Sequence, residues 1–376
     1  MTLRIAVDAR PLALPMVGIT RYTFELLQRL VVDSPHQWFL YLDRPAIHSL
    51  PDLAHVHIRE GACRLNATSS TFAQFFFPYW AKQDQVDIFW SPRHHLPLLL
   101  SRQIKTVLTI HDLVWHFYPE TMSILGRYLE RALMPPSVRR ADKVITISQS
   151  TAKALTDVLA VSENSVRTIP LASYFPNDAV EMAEIPSRQY FLFVGTLEPR
   201  KNLRRLLQAF AKALSEGVTI STLKIVGGQG WGGINIDDLA REYGIENNVE
   251  VLGHVDSEQL KSLYQRAYAL LMPSLYEGFG LPILESMGFG VPVISANVSS
   301  MPEVVGEGGL LVDPLSIEQI SDAIQLIDSD HDLYDKLAGL ARDQAQQFSW
   351  DTTAALTKDV IDSMQATAPS LVNRSL

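Results

Sequence analysis

Two adjacent cations, Arg200 and Lys201, belong to the segment Gly195–Asn202, which directly follows a predicted strand at Tyr190–Val194. The segment leads into a predicted helix, whose first backbone N–H groups have no intrahelical acceptor. Cationic side chains and free N–H groups in one place suit a diphosphate. An Arg-Lys pair at a helix start is also commonly a solvated surface pair, so this motif alone leaves two interpretations.

Two carboxylates, Glu277 and Glu285, flank a glycine-containing loop and the first turn of the helix that follows it. The loop comes after a predicted strand at Ala269–Met272. Gly278 and Gly280 would let a ligand approach backbone N–H groups closely. Carboxylates accept hydrogen bonds from hydroxyl groups, so the pair is suited to the hydroxyls of two sugars. The alternative is one capping and one surface glutamate.

Two further candidates, Gly18 and His111, follow predicted strands in the first half of the chain. Gly18 immediately precedes the predicted helix Ile19–Val32, and His111-Asp112 follows the predicted strand Lys105–Ile110. Both positions are strand-end loops, where α/β proteins bind ligands. A histidine at such a position is often structural instead.

These residues depend on strands and helices that alternate through both halves of the chain. The predicted strands are Arg4–Val7, Trp38–Leu42, Val86–Trp90, Lys105–Ile110, Lys143–Ile147, Tyr190–Val194, Leu223–Val226, Val249–Leu252, Ala269–Met272, Pro292–Ser295 and Leu310–Val312. Short, nearly all-apolar strands separated by helices are typical of parallel sheets that are covered on both faces. A polar, proline-bounded stretch near 173–188 divides the pattern. The sequence therefore predicts two Rossmann-like α/β domains, 1–180 and 181–349, with the ligand site in a cleft between them.

The composition excludes several classes of protein. The chain has 376 residues, with 32 Lys+Arg, 41 Asp+Glu and a net charge of −9. Sequence-independent nucleic-acid binding needs a basic face and is not expected. The single cysteine, Cys63, excludes an intrachain disulfide or a multi-cysteine metal site. Asp328, Asp330 and Asp332 resemble a metal-binding group but fall at predicted helix ends, where aspartate normally caps.

The net charge is unevenly distributed, at +3 over residues 1–180 and −12 over the remainder. The first half has a basic cluster and an aromatic run. Their members are Arg127, Arg131, Arg139, Arg140 and Lys143, and Phe72, Phe75, Phe76, Phe77, Tyr79 and Trp80. A contact with an anionic lipid surface and an ordinary aromatic core are both compatible with this pattern. No segment has the length and apolarity of a membrane span, and the first ten residues do not resemble a signal peptide. We therefore expect a cytoplasmic protein, with peripheral contact at the inner face of the membrane as an option.

Three glycines, Gly228, Gly230 and Gly233, formally match a dinucleotide-binding fingerprint after a strand. That fingerprint requires a helix to open at once, whereas here the helix is predicted to begin only near 235–237. A nicotinamide- or flavin-dependent dehydrogenase is therefore disfavoured.

In order along nearly the whole chain, these motifs resemble the retaining glycosyltransferases of family 4, which have the GT-B fold of two Rossmann-like domains facing across a deep cleft. The segments that carry the resemblance most specifically are Gly195–Asn202 and Glu277–Glu285, and Met301–Pro314 agrees with it. The resemblance implies that the second domain binds a nucleotide-sugar donor and that the first binds the acceptor. It also implies that a last helix, within 350–376, returns to the first domain.

The resemblance assigns a role to each candidate residue. Arg200 and Lys201 would hold the diphosphate, and Glu285 would bind the ribose hydroxyls. Glu277 and the backbone of Gly278, Phe279, Gly280 and Leu281 would hold the transferred sugar. Gly18 would lie over the phosphates, and His111 would contact the sugar near the reacting centre. One position departs from the family pattern, because Thr20 stands where many members have a second glycine.

The implied reaction is a hexosyl transfer with retention of configuration, without a metal ion or another cofactor. The favoured donor is GDP-mannose or GDP-D-rhamnose, because the sequences of several motifs resemble those of bacterial enzymes of O-polysaccharide synthesis. The expected acceptor is a saccharide, free or linked to a polyprenyl diphosphate. The alternatives are a UDP-sugar donor and a catalytically silent nucleotide-sugar-binding scaffold.

Overall fold

The computed structural model describes residues 2–16, 18–63, 66–175, 188–230 and 232–364. Within them, two parallel sheets lie one after the other along the chain. The predicted α/β architecture is confirmed.

The first sheet has seven parallel strands, in the spatial order β3-β2-β1-β4-β5-β6-β7. The strands are β1 (Arg4–Asp8), β2 (Gln37–Leu42), β3 (Val56–Glu60), β4 (Ile88–Ser91), β5 (Lys105–Ile110), β6 (Lys143–Thr146) and β7 (Val166–Thr168). Its helices are α1 (Ile19–Leu30), α2 (Asn66–Gln83), α3 (Val114–Phe117), α4 (Ile124–Arg140) and α5 (Gln149–Leu159). The strand order reverses between β1 and β4, which is the Rossmann switch point.

The second sheet has six parallel strands in the same relative order, β10-β9-β8-β11-β12-β13. The strands are β8 (Tyr190–Val194), β9 (Leu223–Val226), β10 (Val249–Gly253), β11 (Ala267–Met272), β12 (Val293–Ala296) and β13 (Gly309–Val312). Its helices are α6 (Leu203–Ser215), α7 (Ile236–Glu242), α8 (Ser257–Arg266), α9 (Leu281–Gly288), α10 (Met301–Val305), α11 (Ile317–Ser329) and α12 (His331–Ala345). Here the order reverses between β8 and β11. The two segments that carry the resemblance most specifically begin just after these two strands.

Several elements are not predicted by hydrophobic pattern. The edge strand β3, with the sequence VHIRE, has only two apolar residues and no fully buried position. Helices α2 and α4 contain prolines, Pro78 in α2 and the pair Pro135–Pro136 in α4. The aromatic run on α2 divides between two environments, because Phe77 is fully buried whereas Phe75 is 61% exposed.

The last described helix, α13 (Trp350–Ser363), packs against α1. The indole N–H of Trp350 donates to the Ser173 carbonyl, and the Thr353 hydroxyl donates to the Pro170 carbonyl. Asp351 forms an ion pair with Arg29 of α1 at 2.6 Å. One apolar core runs through α1, α9 and α13 without a break between the two sheets.

Candidate active site

A short 3₁₀ turn, Pro199–Lys201, positions the two predicted cations after β8. The turn ends at Asn202, which adopts a left-handed conformation with φ of 62°. The Asn202 side-chain amide donates to the carbonyls of Pro273 and Pro314, so the end of the turn is tied to the loops after β11 and β13. This anchoring directs both cations toward the loop after β11.

Glu277 bridges the two cations. Lys201 Nζ lies 2.6 Å from Glu277 Oε1, and Arg200 Nη1 lies 2.9 Å from Oε2. Arg200 also donates to the Tyr276 carbonyl at 2.7 Å and to Glu198. Burial alone would raise the pKa of Glu277, but Lys201 and Arg200 outweigh it and lower that pKa to about 2. The carboxylate therefore stays charged at physiological pH.

Hydrogen bonds fix the loop between Glu277 and α9. The Glu277 N–H donates to Ser299, and the Ser300 hydroxyl lies 2.9 Å from the carbonyls of both Glu277 and Phe279. Gly280 has a φ of 104°, a conformation that glycine adopts without strain. Over the part of the chain that the structure describes, the N–H groups of residues 278–281 donate to no carbonyl or side chain. They lie at the N-terminus of α9, where they are available to an anion or a hydroxyl group.

Gly278, in the second domain, lies in close contact with the first domain. A Cβ atom at this position would lie 2.3 Å from the His111 carbonyl oxygen and 3.1 Å from Asp112 Cβ. Nearby, the Leu113 N–H donates to the Tyr276 hydroxyl at 3.0 Å. The loop after β5 and the loop after β11 are thus in direct contact, which brings His111 to the side of Glu277.

The imidazole of His111 has a defined tautomer. Its Nε2 lies 2.8 Å from the Pro92 carbonyl, which can only accept, so Nε2 carries the proton and Nδ1 carries a lone pair. Among the described residues, Nδ1 has no hydrogen-bond partner. Burial and the neighbouring His94 lower the pKa of His111 to about 3, so the ring stays neutral. The ring of Tyr22, on α1, packs edge-on against it at 4.9 Å.

Glu285 occupies a separate position on α9. It is partly buried, and the hydroxyl of the buried Tyr264 donates to Glu285 Oε2 at 2.9 Å. Burial raises the pKa of Glu285 to about 7, despite this hydrogen bond and the charge of Arg21. Gly18 precedes α1 with a φ of 48°, and its neighbour Val17 lies outside the described residues.

The structure therefore joins Arg200, Lys201, Glu277, Gly278 and His111 in one place. Within the described ranges, no hydrogen bond connects this group to Glu285 or Gly18, which stay predicted contacts of a ligand. Thr20, which stands where many family members have glycine, is buried at 3% exposure, so its side chain is enclosed by the protein.

Comparison with known proteins gives the family. The family model "Glycosyl transferases group 1" matches residues 178–344, and "Glycosyltransferase Family 4" matches residues 16–172. The O-antigen chain mannosyltransferase B of Escherichia coli is 32% identical, over 94% of this chain and 98% of its own length. The chain belongs to glycosyltransferase family 4. The O-antigen chain mannosyltransferase RfbU of Salmonella typhimurium is 30% identical over 61% of this chain and 65% of its own.

Solved structures show that the transferase has the GT-B fold. Sucrose-phosphate synthase from Thermosynechococcus elongatus superposes with a TM-score of 0.75 at 20% identity, over 97% of this chain and 100% of its own. WaaG, a glycosyltransferase involved in lipopolysaccharide biosynthesis, superposes with a TM-score of 0.70 at 15% identity, over 95% and 99% of the two chains. Among the described helices of the transferase, none is long and apolar enough to cross a membrane.

Two motifs that resemble a cofactor or metal site in sequence have structural roles in the transferase. They are the glycine-rich segment after β9 and the aspartates at 328–332. Gly230, one of the three motif glycines, packs so closely on the loop after β8 that a Cβ atom would lie 2.9 Å from the Leu197 carbonyl oxygen. Asp328 accepts hydrogen bonds from the backbone N–H groups of Thr219 and Ile220, and Asp330 caps α12. The described residues contain no cluster of three potential metal ligands.

Sequence analysis missed one part of the site. His94 follows β4 at the switch point of the first sheet, and its Nε2 accepts from the His111 N–H at 3.1 Å. Its Nδ1 donates to Glu130 of α4 at 3.3 Å, and His95 Nε2 lies 3.1 Å from the same carboxylate oxygen. The only available signal was the position of His94 after a strand, since Glu130 is 36 residues away in a helix that the pattern does not predict.

Proposed function

We propose that this family 4 glycosyltransferase moves mannose or D-rhamnose from a GDP-sugar to a saccharide acceptor in O-antigen synthesis, with retention and without a metal ion. Two relatives named as O-antigen chain mannosyltransferases support the sugar and the pathway. The observation that carries the proposal is the contact between the Arg200–Glu277–Lys201 cluster and the His111 loop, which brings a diphosphate site and a sugar site together.

The cation cluster is the proposed site of the leaving group. Arg200 and Lys201 form ion pairs with Glu277 and Glu198. A diphosphate bound against Arg200 Nε and the N–H groups at the start of α9 would add negative charge opposite these donors. As the sugar–phosphate bond breaks, more charge develops on the phosphate oxygen, and preorganised donors stabilise it. This is the role that a metal ion has in other transferases, so we expect none to be required.

The proposed sugar site lies between His111 and the loop 277–281. His111 Nδ1 accepts a hydrogen bond from one sugar hydroxyl, because the ring is held neutral with its lone pair unpartnered within the described structure. Glu277 and the backbone N–H groups bind the remaining hydroxyls. Glu285 accepts hydrogen bonds from the ribose hydroxyls, one helical turn further along α9.

The reaction needs no protein nucleophile. The acceptor hydroxyl attacks the anomeric carbon on the face that the diphosphate leaves, so a carbon–oxygen bond to the acceptor forms while the bond to phosphate breaks. The acceptor proton passes to the departing phosphate oxygen. The products are the nucleoside diphosphate and a glycoside of unchanged anomeric configuration.

The direct test is transfer from isotopically labelled GDP-mannose, with UDP-glucose and GDP-D-rhamnose as comparisons. We expect a glycoside whose anomeric configuration, determined by NMR, matches that of the donor. An inverted product contradicts retention. Turnover with UDP-glucose alone contradicts the GDP-linked donor and favours the alternative. Binding of nucleotide sugars without transfer or hydrolysis identifies a scaffold.

Peripheral contact with an anionic membrane is the second part of the proposal. It is supported by large apolar side chains that are exposed beside basic residues on α4. Ile124, Leu125 and Tyr128 are 78%, 61% and 64% exposed, and Arg131 lies on the same helix. Such a surface has both an apolar and an electrostatic attraction for anionic lipids.

Vesicle co-sedimentation tests this contact. Vesicles rich in phosphatidylglycerol should bind the protein more strongly than phosphatidylcholine vesicles, and the Ile124→Ser, Leu125→Ser variant should lose most of that binding. Leu315→Ser is the matched control, because Leu315 is 61% exposed on the second domain. Equal loss in both variants, or equal binding to both lipids, contradicts the assignment of this surface.

A further inference from the structure

One carboxylate of the second domain reaches the first domain at the start of α5. Glu303, on α10, accepts from the Gln149 N–H at 2.9 Å through Oε2 and from the Ser150 N–H at 3.1 Å through Oε1. The next N–H group of the helix, that of Thr151, donates to the Ser148 hydroxyl oxygen within the first domain. Glu303 is therefore an N-terminal cap that one domain supplies to a helix of the other.

The charge of Glu303 makes this contact favourable, and its exposure makes the contact reversible. The first N–H groups of a helix have no intrahelical acceptor and carry partial positive charge, so a carboxylate forms charge-assisted hydrogen bonds there. Glu303 is exposed, so water can replace either partner when the domains separate. A nearby hydrogen bond between the domains, from the Leu113 N–H to the Tyr276 hydroxyl, joins neutral groups. Glu303 thus adds a charged tie at this boundary.

The segment that carries Glu303 also holds the loop 277–281. The Glu277 N–H donates to Ser299, and the Ser300 hydroxyl lies 2.9 Å from the carbonyls of Glu277 and Phe279. Ser300 directly precedes α10, and Glu303 is the third residue of that helix. The position of Glu277 and the tie to α5 therefore depend on one short segment, 299–303.

The other end of the tie lies beside His111. Thr151, in the first turn of α5, is buried, and its hydroxyl donates to the His111 carbonyl at 3.4 Å. The same carbonyl faces Gly278, where a Cβ atom would lie 2.3 Å from the oxygen. Glu303 and α5 thus form a continuous connection between the two sides of the proposed sugar site.

We propose that Glu303 is a positioning residue for the transfer reaction. By capping α5 it holds His111 against the loop 277–281, in the arrangement in which His111 and Glu277 contact the same sugar. Glu303 acts through α5 and does not touch the substrate, so donor affinity, which residues of the second domain provide, should not depend on it. The inference rests on the proposed function, because it takes His111 and Glu277 to bind one sugar.

Steady-state kinetics and calorimetry test this role. Glu303→Ala should lower kcat about fivefold to tenfold, the scale for losing a helix cap, whereas its Kd for GDP should change by less than about twofold. Glu307→Ala is the matched control, because Glu307 is exposed just beyond α10, and it should equal wild type in both measurements. An unchanged kcat in Glu303→Ala overturns the proposal. So does a loss of GDP affinity as large as the loss of kcat.

The tie can also be broken from the first domain. Gln149 is the first residue of α5, where proline fits a helix because the missing N–H has no intrahelical acceptor. The extended conformation of Ser148 is the one that a residue before proline prefers. Gln149→Pro should therefore remove the donor to Glu303 Oε2 and lower kcat, and its effect should be less than additive with that of Glu303→Ala.

Gln149→Ala keeps the N–H group and should retain the wild-type kcat. Full additivity in the double variant, or equal kcat in Gln149→Pro and Gln149→Ala, overturns the proposal. If Gln149→Pro folds poorly, Glu303→Ala alone decides the question.

Amide hydrogen exchange of the full-length protein, measured with residue resolution, distinguishes positioning from local capping. Loss of a purely local cap in Glu303→Ala would speed exchange only at Gln149 and Ser150. Loss of positioning should also speed exchange at Leu113 by about fivefold or more, because its N–H donates to Tyr276 across the boundary. Unchanged exchange at Leu113 overturns the proposal even if kcat falls.

Because exchange needs no turnover, it separates this inference from the proposed function. Faster exchange at Leu113 in a protein that transfers sugar from neither GDP- nor UDP-linked donors supports the tie and contradicts the proposed function. Transfer from GDP-mannose with unchanged exchange in Glu303→Ala contradicts the tie alone.

Discussion

The two domains each contribute one buried polar cluster to the cleft, and the clusters have different charge balances. In the second domain, Arg200 and Lys201 are matched by Glu277 and Glu198. In the first domain, Glu130 accepts hydrogen bonds from His94 and His95 and keeps its negative charge. The first arrangement offers cationic donors to an anion, and the second offers acceptors to hydroxyl groups.

We propose that this difference separates the two substrates. The donors of the second domain would bind the diphosphate, and the acceptors of the first domain would bind sugar hydroxyls. Substitutions in either cluster, or at the contact between the two clusters, test this difference.

The largest effect is expected from the cations. Arg200→Ala should lower kcat/KM by about 10²–10³, the usual result of losing one preorganised donor to a developing anion. Arg200→Lys should recover only part of this, because lysine lacks the planar fork that suits phosphate oxygens. Steady-state kinetics with varied donor measure both. The double variant with Lys201→Ala should be less than additive, since both cations contact one carboxylate.

An unchanged kcat/KM in the Arg200→Ala, Lys201→Ala double variant would contradict the assignment of the diphosphate site to these two cations. A loss of folding cooperativity, followed by thermal melts with circular dichroism, shows instead that Glu277 and Glu198 need the cations for stability, because an unpaired buried charge is strongly destabilising.

The contact between the loop after β5 and the loop after β11 depends on Gly278. Gly278→Ala would place a Cβ atom 2.3 Å from the His111 carbonyl oxygen, so the two loops must move apart. A displacement of about 1 Å near the reacting atoms costs about 10²-fold in rate, and we expect a loss of kcat of that order. Gly339→Ala, at a helical position where a Cβ would meet nothing within 4 Å, is the control. A normal kcat in Gly278→Ala would show that catalysis does not require close contact between the His111 loop and the Glu277 loop.

The nucleoside end of the donor site should respond to pH. The folded pKa of Glu285, about 7, lies above the ordinary value of 4.5. Its protonated form therefore contributes stability that is fully present below about pH 4.5 and is lost as pH rises through about 7. Donor binding has the opposite dependence, because the ribose hydroxyls require the carboxylate. The donor KM should fall severalfold between about pH 6 and 8.

Glu285→Gln should have a higher donor KM that changes little over that range, and Glu285→Ala should raise KM more than it lowers kcat. A pH dependence of KM that persists in Glu285→Gln assigns the titration to another group. A large decrease in kcat at saturating donor, with KM unchanged, contradicts the ribose role.

The smallest effect is expected from chelation. Excess EDTA should leave the transfer rate unchanged, because Arg200, Lys201 and the N–H groups of α9 are the proposed hydrogen-bond donors to the leaving group. The rate with and without EDTA, and after addition of Mg²⁺ or Mn²⁺, measures this. Complete loss in EDTA that is restored by either ion would show that the cluster does not replace a metal.

The second domain could be predicted from sequence more fully than the first. Its candidate residues lie in two contiguous segments after β8 and β11, so local pattern reveals them. The spatial neighbourhood of those strands was not predictable, because strand order is set by pairings across the whole sheet. The proximity of Arg200 to Glu277 follows from that order.

The candidate site residues of the first domain are difficult to predict because they are far apart in the sequence. His94, Asp112 and Glu130 come from three different elements, and Glu130 lies on α4, whose two prolines obscure its helical pattern. The aromatic run on α2 shows that composition alone does not predict which residues are buried. The same segment contains the buried Phe77 and the exposed Phe75, which only the three-dimensional packing distinguishes.

The return of α13 to the first domain has a mechanical consequence. The chain passes between the domains twice, once between β7 and β8 and once between α12 and α13, and hydrogen bonds from Trp350 and Thr353 tie the two crossings together. The two domains are therefore joined by a continuous apolar core as well as by two chain connections, so a force that separates them must expose that core to water.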